Sequence, residues 1–248
     1  MATNNPVKSA ARVVQVLELF DVLKRAATVA EVAEHYGWPH SSTSLLMRSL
    51  VALGYLHYNA SARSYIPSVR VALLGDWLKN TPLPNSELVQ MLHYLNSETG
   101  ETIVLAAQNG IHAQYLRVLQ GTNVLRMHLH NGTLRPLLNS GTGRMLITTM
   151  DDAAIRKLGR RHNAQFEPER HINIEEVLKR VAVDRENGYA MSIHQVTPYS
   201  GIIATLLPTL PGQPPLAIGI AALSQQLINN QQQYVEAMRH AIQQFFHE

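Results

Sequence analysis

Thr28-Val29-Ala30-Glu31, Gly37-Trp38-Pro39 and the run His40 to Leu53 decide the fold of the first third of this chain. Thr28 with Glu31 three residues later forms a capping box, each side chain taking up the other's free backbone N–H, so a helix opens here. Gly37 stops it, and Pro39 suits the start of the next helix. There Thr43, Leu46, Met47, Leu50 and Leu53 recur at spacings of three and four and are expected to face a core. Ser41, Ser42, Leu45, Arg48 and Ser49 take the opposite face, with Ser44 beside them. Gly54 ends the helix; Tyr55 to Tyr58 reads as a strand that returns through Asn59-Ala60-Ser61-Ala62-Arg63 to Ser64-Tyr65-Ile66, a wing. A winged helix-turn-helix whose second helix shows hydroxyls, one Arg and one apolar side chain suits phosphates, base edges and a thymine methyl in a DNA groove.

Upstream, a helix from Ser9, the expected N-cap, carries Val13, Val14, Leu17, Leu19 and Phe20 inward and leaves Arg12 on its outer face. Downstream, Val69 to Leu78 reads as a short linker helix before the loop Asn80 to Asn85. Residues 1–80 hold eight Lys or Arg against five Asp or Glu, so the whole net charge of +3 falls in the first third. That end is the candidate polyanion binder.

At 248 residues and 46% hydrophobic, the chain is long enough for two domains. Without cysteine it has no disulfide, thiolate zinc site or cysteine nucleophile, which fits the cytoplasm. Its start lacks the apolar core of a signal peptide, and its apolar runs fall short of the roughly 18–20 residues of a membrane helix. No membrane role is expected.

Residues 86–248 alternate helix and strand signals. Ser86 to Leu95 is amphipathic; Thr102–Ala107, Gln114–Leu119 and Val124–His130 read as strands. Asn173 with Glu176 is a second capping box, before a helix with Val177, Leu178, Val181 and Ala182 inward. Strands Ile202–Leu207 and Leu216–Leu223 follow, and a last helix puts Tyr234, Val235, Met238, Ala241, Ile242 and Phe245 on one face. An antiparallel sheet flanked by helices is the simplest α+β architecture. The small-residue turn Asn139-Ser140-Gly141-Thr142-Gly143 enters a helix whose free N–H groups would attract a carboxylate. It lacks the Lys-Ser/Thr pair of a nucleotide-binding phosphate loop.

The chain resembles the isocitrate lyase regulator (IclR) family of bacterial transcription factors. The resemblance rests on Ser9-Ala10-Ala11-Arg12 with Leu17, Gly37 to Ser42, Leu50 to Leu56, Tyr65 with Leu73-Leu74-Gly75, Leu95 to Thr102, Pro136 to Ile147 and Glu186 to Ala190, in order along nearly the whole chain. It implies a winged helix-turn-helix over 1–67, a linker helix and loop over 68–85, and a GAF-like α/β effector-binding domain over 86–248. It also implies assembly as a homodimer or homotetramer, with Arg12, Ser41 and Ser42 near DNA. His40 stands where relatives often have Lys, and Leu45 where Arg is common, so Arg48 is expected to supply the charge, with Arg63 on the wing. The effector wall implied is Asn139, Ser140, Gly141 and Thr142, with Met127, Ser192, His194, Ile202, Gly219 and Ala221. Where relatives have an acidic stretch after Gly-Tyr this chain has Ser192 to Gln195, and Gly219 and Ala221 replace serines of some members. A roomier, less polar pocket follows, for an acid larger than two or three carbons, with an aromatic carboxylate favoured and a catabolic operon under control. Whether it represses or activates depends on where the operator lies relative to the promoter.

His128 and His130 would share one strand face, either solvated or holding a metal. Arg156-Lys157 and Arg160-Arg161 are a solvated helix end or an attractor of anions. No catalytic residue, metal or cofactor is expected, since the motifs of hydrolases, metallopeptidases and dinucleotide enzymes are missing. A small-molecule hydrolase and a winged-helix module with protein rather than DNA partners stay open as alternatives.

Overall fold

The computed structural model describes residues 7–74, 85–209 and 213–246. The chain divides into two compact units, Met1–Lys79 and Asn80–Glu248. In the first, α1 (Lys8–Leu23) is followed by β1 (Ala27–Thr28), α2 (Val29–Tyr36), α3 (His40–Ala52), β2 (Leu56–Asn59), β3 (Ser64–Pro67) and α4 (Val69–Leu73). The capping box is complete: Glu31 N–H donates to Thr28 Oγ1 at 3.3 Å and Thr28 N–H to Glu31 Oε2 at 2.7 Å. Gly37, at φ +63°, ends α2 in the left-handed region that glycine tolerates. Thr43, Met47 and Leu50 are buried as expected.

Several local expectations change. Helix α1 starts after Val7 rather than at Ser9, and its buried stripe is Val16, Leu19 and Phe20. Val14 is turned out of that stripe and is 54% exposed. Leu53 is 59% exposed because α3 stops at Ala52 and leaves it in the cap. Strand β1 was too short to read from alternation; Ala27 pairs with Tyr65 and Thr28 with Ser64, giving a sheet ordered β1-β3-β2. The expected linker helix is observed through Leu73, and residues 75–78 and 80–84 of that reading lie outside the described residues.

The second unit runs α5 (Asn85–Thr99), β4 (Thr102–Asn109), β5 (His112–Leu119), β6 (Leu134–Pro136), α6 (Gly141–Ile147), α7 (Asp152–Asn163) and α8 (Ile174–Asn187). It continues with β7 (Ala190–Ile193), β8 (Ser200–Leu206), β9 (Leu216–Leu223), α9 (Ser224–Asn229) and α10 (Gln231–Phe245). All pairings are antiparallel, in the order β6-β5-β4-β9-β8-β7.

Residues Val124–His130 form no strand. Val124 is 93% and Leu125 72% exposed, and the backbone of Met127 is held by a side chain, Thr102 Oγ1, at 2.6 Å. The sheet edge is Leu134–Pro136 instead. Asn173 caps α8, but Glu176 pairs with Arg180 rather than returning the capping bond. Ala182 is exposed, and the inward position one turn on belongs to Asp184.

Period-two alternation along β9 separates two cores. Ile218, Ile220 and Ala222 face one, built with Met91 and Leu95 of α5 and Tyr234 and Met238 of α10. Ala217 packs in the other, with Met145 of α6 and Val177 and Val181 of α8. Gly219 and Ala221 share its face, leaving a low strip on which α6 lies with all seven residues buried. Close approach is why two glycines open α6: a Cβ on Gly143 would stand 2.2 Å from the Leu137 carbonyl oxygen. Arg144, in the same helix, makes a buried two-point ion pair with Asp184, Nε–Oδ2 2.7 Å and Nη2–Oδ1 3.2 Å, and Nη2 also reaches the Met191 carbonyl at 2.9 Å.

Candidate nucleic-acid interface and ligand pocket

Helix α3 presents His40, Ser41, Leu45 and Arg48 to solvent, with Leu45 62% exposed and Ser42 and Ser44 half-buried beside them. Ser42 Oγ bonds back to the Pro39 carbonyl at 3.1 Å. Arg12 is not a loose outer side chain. Its guanidinium lies 4.5 Å from the centre of the Trp38 ring, and Nη1 is 3.4 Å from Ser42 Oγ. Trp38 is stacked in turn on Tyr36 at 4.5 Å, and the Tyr36 hydroxyl donates to the Gln15 carbonyl of α1 at 2.7 Å. The turn between α2 and α3 therefore fixes a cation from α1 against the start of α3. At the wing tip Asn59 Oδ1 accepts from the Ser61 and Ala62 N–H groups at 3.0 and 3.1 Å, and Arg63 follows at φ +49°, exposed.

In the second unit a cavity of about 370 Å³, counted out to its mouth, opens over β8 and β9. Met127, Ser140, Ser192, Ile202 and Ala221, all expected on the effector wall, line it. Gly141, Thr142 and Gly219 pack behind Ile202 instead: a Cβ on Gly219 would meet Ile202 Cδ1 at 2.7 Å and Thr142 Cγ2 at 3.2 Å. The space left by the missing side chain at 219 is thus filled by Ile202, and the roomier pocket expected from Gly219 does not form there. Asn139 is half-buried before the Ser140 cap and outside the lining. His194 is exposed; its Nδ1 accepts the Tyr199 N–H at 2.9 Å and closes its own loop, so it is no pocket wall. The helix-start argument also weakens, because Ser140 itself takes up the Gly143 and Arg144 N–H groups.

The description "IclR helix-turn-helix domain" matches residues 9–60, and "Bacterial transcriptional regulator IclR C-terminal" matches residues 78–246, well over half of the chain. The chain belongs to the IclR family. It is a transcriptional regulator with a helix-turn-helix DNA-binding domain. It is 22% identical to the HTH-type transcriptional regulator XynR of Escherichia coli K12, over 75% of this chain and 74% of that one. It is 27% identical to the Pca regulon regulatory protein of Pseudomonas putida, over 61% and 52%. An IclR transcriptional regulator from Alicyclobacillus acidocaldarius superposes with TM-score 0.64, covering 98% of each chain at 20% identity. The effector domain of a putative regulator from Acinetobacter sp. ADP1 gives 0.61 at 29% identity, over 66% of this chain and 95% of that one. No helix among the described residues is long and apolar enough to cross a membrane.

Two features of this IclR protein escaped the sequence, and a third was read on the wrong backbone. Trp38 read only as part of a turn, yet it carries Arg12. Tyr115 and Arg135 reach the cavity from neighbouring strands, where alternation along β5 flags Tyr115 but nothing flags Arg135. His128 and His130 lie in the irregular segment, both exposed, with ring centres 4.7 Å apart. No group of three or more His, Asp and Glu among the described residues is placed to hold a metal.

Proposed function

We propose that this IclR regulator acts in the cytoplasm as a homodimer or homotetramer controlling a catabolic operon. Residues 1–67 read double-stranded operator DNA through Arg12, His40, Ser41, Ser42, Ser44, Leu45, Arg48 and Arg63. Residues 68–85 join them to the sensor, residues 86–248, which binds a small organic acid, with an aromatic carboxylate favoured. Two winged units meet two half-sites, and ligand and DNA bias the same two states of the assembly.

The observation carrying this reading is the pairing of an exposed hydroxyl-and-arginine face on α3 with a cavity in the second unit lined by Ser140, Ser192 and Ile202. Selection of bound fragments from a random DNA library, followed by anisotropy titration with and without benzoate and short aliphatic acids, tests it. Sequence-selective binding that falls with salt, at a log–log slope of about −0.9 per neutralised phosphate, and that shifts with one of the acids is expected. Binding that ignores both sequence and salt overturns it.

A further inference from the structure

The cavity wall holds one charged side chain, and among the described residues no carboxylate pairs with it. Arg135 of β6 lines the cavity half-buried, with Cζ 5.7 Å from the centre of the Tyr115 ring. It takes part in no ion pair among the described residues. The rest of the lining is neutral, hydroxyls of Ser140, Ser192 and Ser200 alternating with apolar Met127, Leu129 and Ile202. With an aromatic ring and a phenol beside it but no counter-ion, a guanidinium held partly out of water keeps an unmatched charge that an anion answers.

The Tyr115 side chain stands beside it and is only 3% exposed. Burial pushes its phenol up, although Arg135 and Thr142 lie close enough to oppose the shift, so the hydroxyl stays protonated and can donate. Two donors, the Arg135 guanidinium and the Tyr115 hydroxyl, therefore stand side by side in a wall that also carries apolar Met127, Leu129 and Ile202.

We propose that the pocket takes a monocarboxylate, its head bound between the Arg135 guanidinium and the Tyr115 hydroxyl and its apolar body against Met127, Leu129 and Ile202. This rests on the reading of the cavity as the effector site and adds the charge, orientation and anchoring residue of the ligand. One cation answers one negative charge. A second carboxylate would be buried among hydroxyls and apolar groups without a counter-ion, which is costly.

Calorimetric titration of the full chain with benzoate, benzamide, terephthalate, acetate and hexanoate tests it, with R135Q, R135K and Y115F alongside. At least one monoacid is expected to bind, its amide or diacid counterpart about 10-fold or more weakly. R135Q should weaken that monoacid by about 10- to 100-fold, the effect of losing a hydrogen bond to a charged group. R135K should recover part of the loss, Y115F should weaken binding less, and unliganded R135Q should melt with the wild type. Equal binding by R135Q, or equal binding of benzamide or terephthalate and benzoate, overturns the proposal. So does the absence of heat for every monoacid in protein that binds DNA, which leaves the DNA-binding reading intact. Folded protein that binds a monoacid through Arg135 but no DNA overturns that reading and leaves the ligand assignment standing.

Discussion

The Arg12 guanidinium sits over the face of Trp38, 4.5 Å from its centre, so a residue of the turn aims a cation from the preceding helix at Ser42. A cation over an indole is worth about 0.5–1 kcal/mol at an exposed site. W38A should therefore weaken DNA binding about 2- to 5-fold without Trp38 touching DNA. In a double-mutant cycle, W38A should cost little once Arg12 is already Ala. Additive losses measured by anisotropy would show that Trp38 does not act through Arg12.

Asp184 and Arg144 are buried together, with side chains 7% and 8% exposed. D184A leaves the guanidinium without its counter-charge and should cost about 3–5 kcal/mol, whereas the double change R144M with D184L should cost far less. Both tryptophans, Trp38 and Trp77, lie in the first third of the sequence. Urea unfolding of D184A should thus show an early circular-dichroism transition that tryptophan fluorescence does not follow.

Gly143 has no room for a methyl group. G143A would press Cβ to 2.2 Å from the Leu137 carbonyl oxygen, so the start of α6 and the turn before it must move apart. Overpacking of this kind costs about 1–3 kcal/mol. Thermal melting should show the loss, and the acid response of DNA binding should fall with it while DNA affinity persists.

His162 is 8% exposed, its Nδ1 without a hydrogen bond, and burial pushes its pKa below 6.5, with His112, His171 and Arg170 adding to the shift. The folded chain then holds fewer protons on this group than the unfolded chain. Its contribution is present in full above 6.5 and is lost as pH falls toward the folded value, so stability rises with pH across that window. H162Q should flatten the rise in denaturation midpoints taken at successive pH values; an unchanged slope would assign it to other groups.

Much of the fold was legible because its signals are local. The Thr28–Glu31 box, the Gly37 stop and the alternation along β8 and β9 each lie within a few residues. Strand β1 was hidden by its two-residue length, and the supposed strand at Val124 by apolar residues that the structure leaves in solvent. The Arg144–Asp184 pair joins residues 40 apart, which no period reveals. The same holds for the pocket. Ser140 stood out in its small-residue turn and Ser192 came with the family resemblance, whereas Arg135 and Tyr115 meet only because β5 and β6 pair.

The low strip of Ala217, Gly219 and Ala221 under α6 has a bearing on how such a pocket can diversify. Gly141 and Gly219 back directly onto Ile202, so substitutions there collide with the fold before they reach a ligand. Change that leaves the core intact is confined to half-buried Arg135 and the loop Gln195–Thr197, since Tyr115 and Met127 pack in one cluster with Ile202. Most of the wall is scaffold, and the loop with Arg135 is where its shape and charge can change without renegotiating the core.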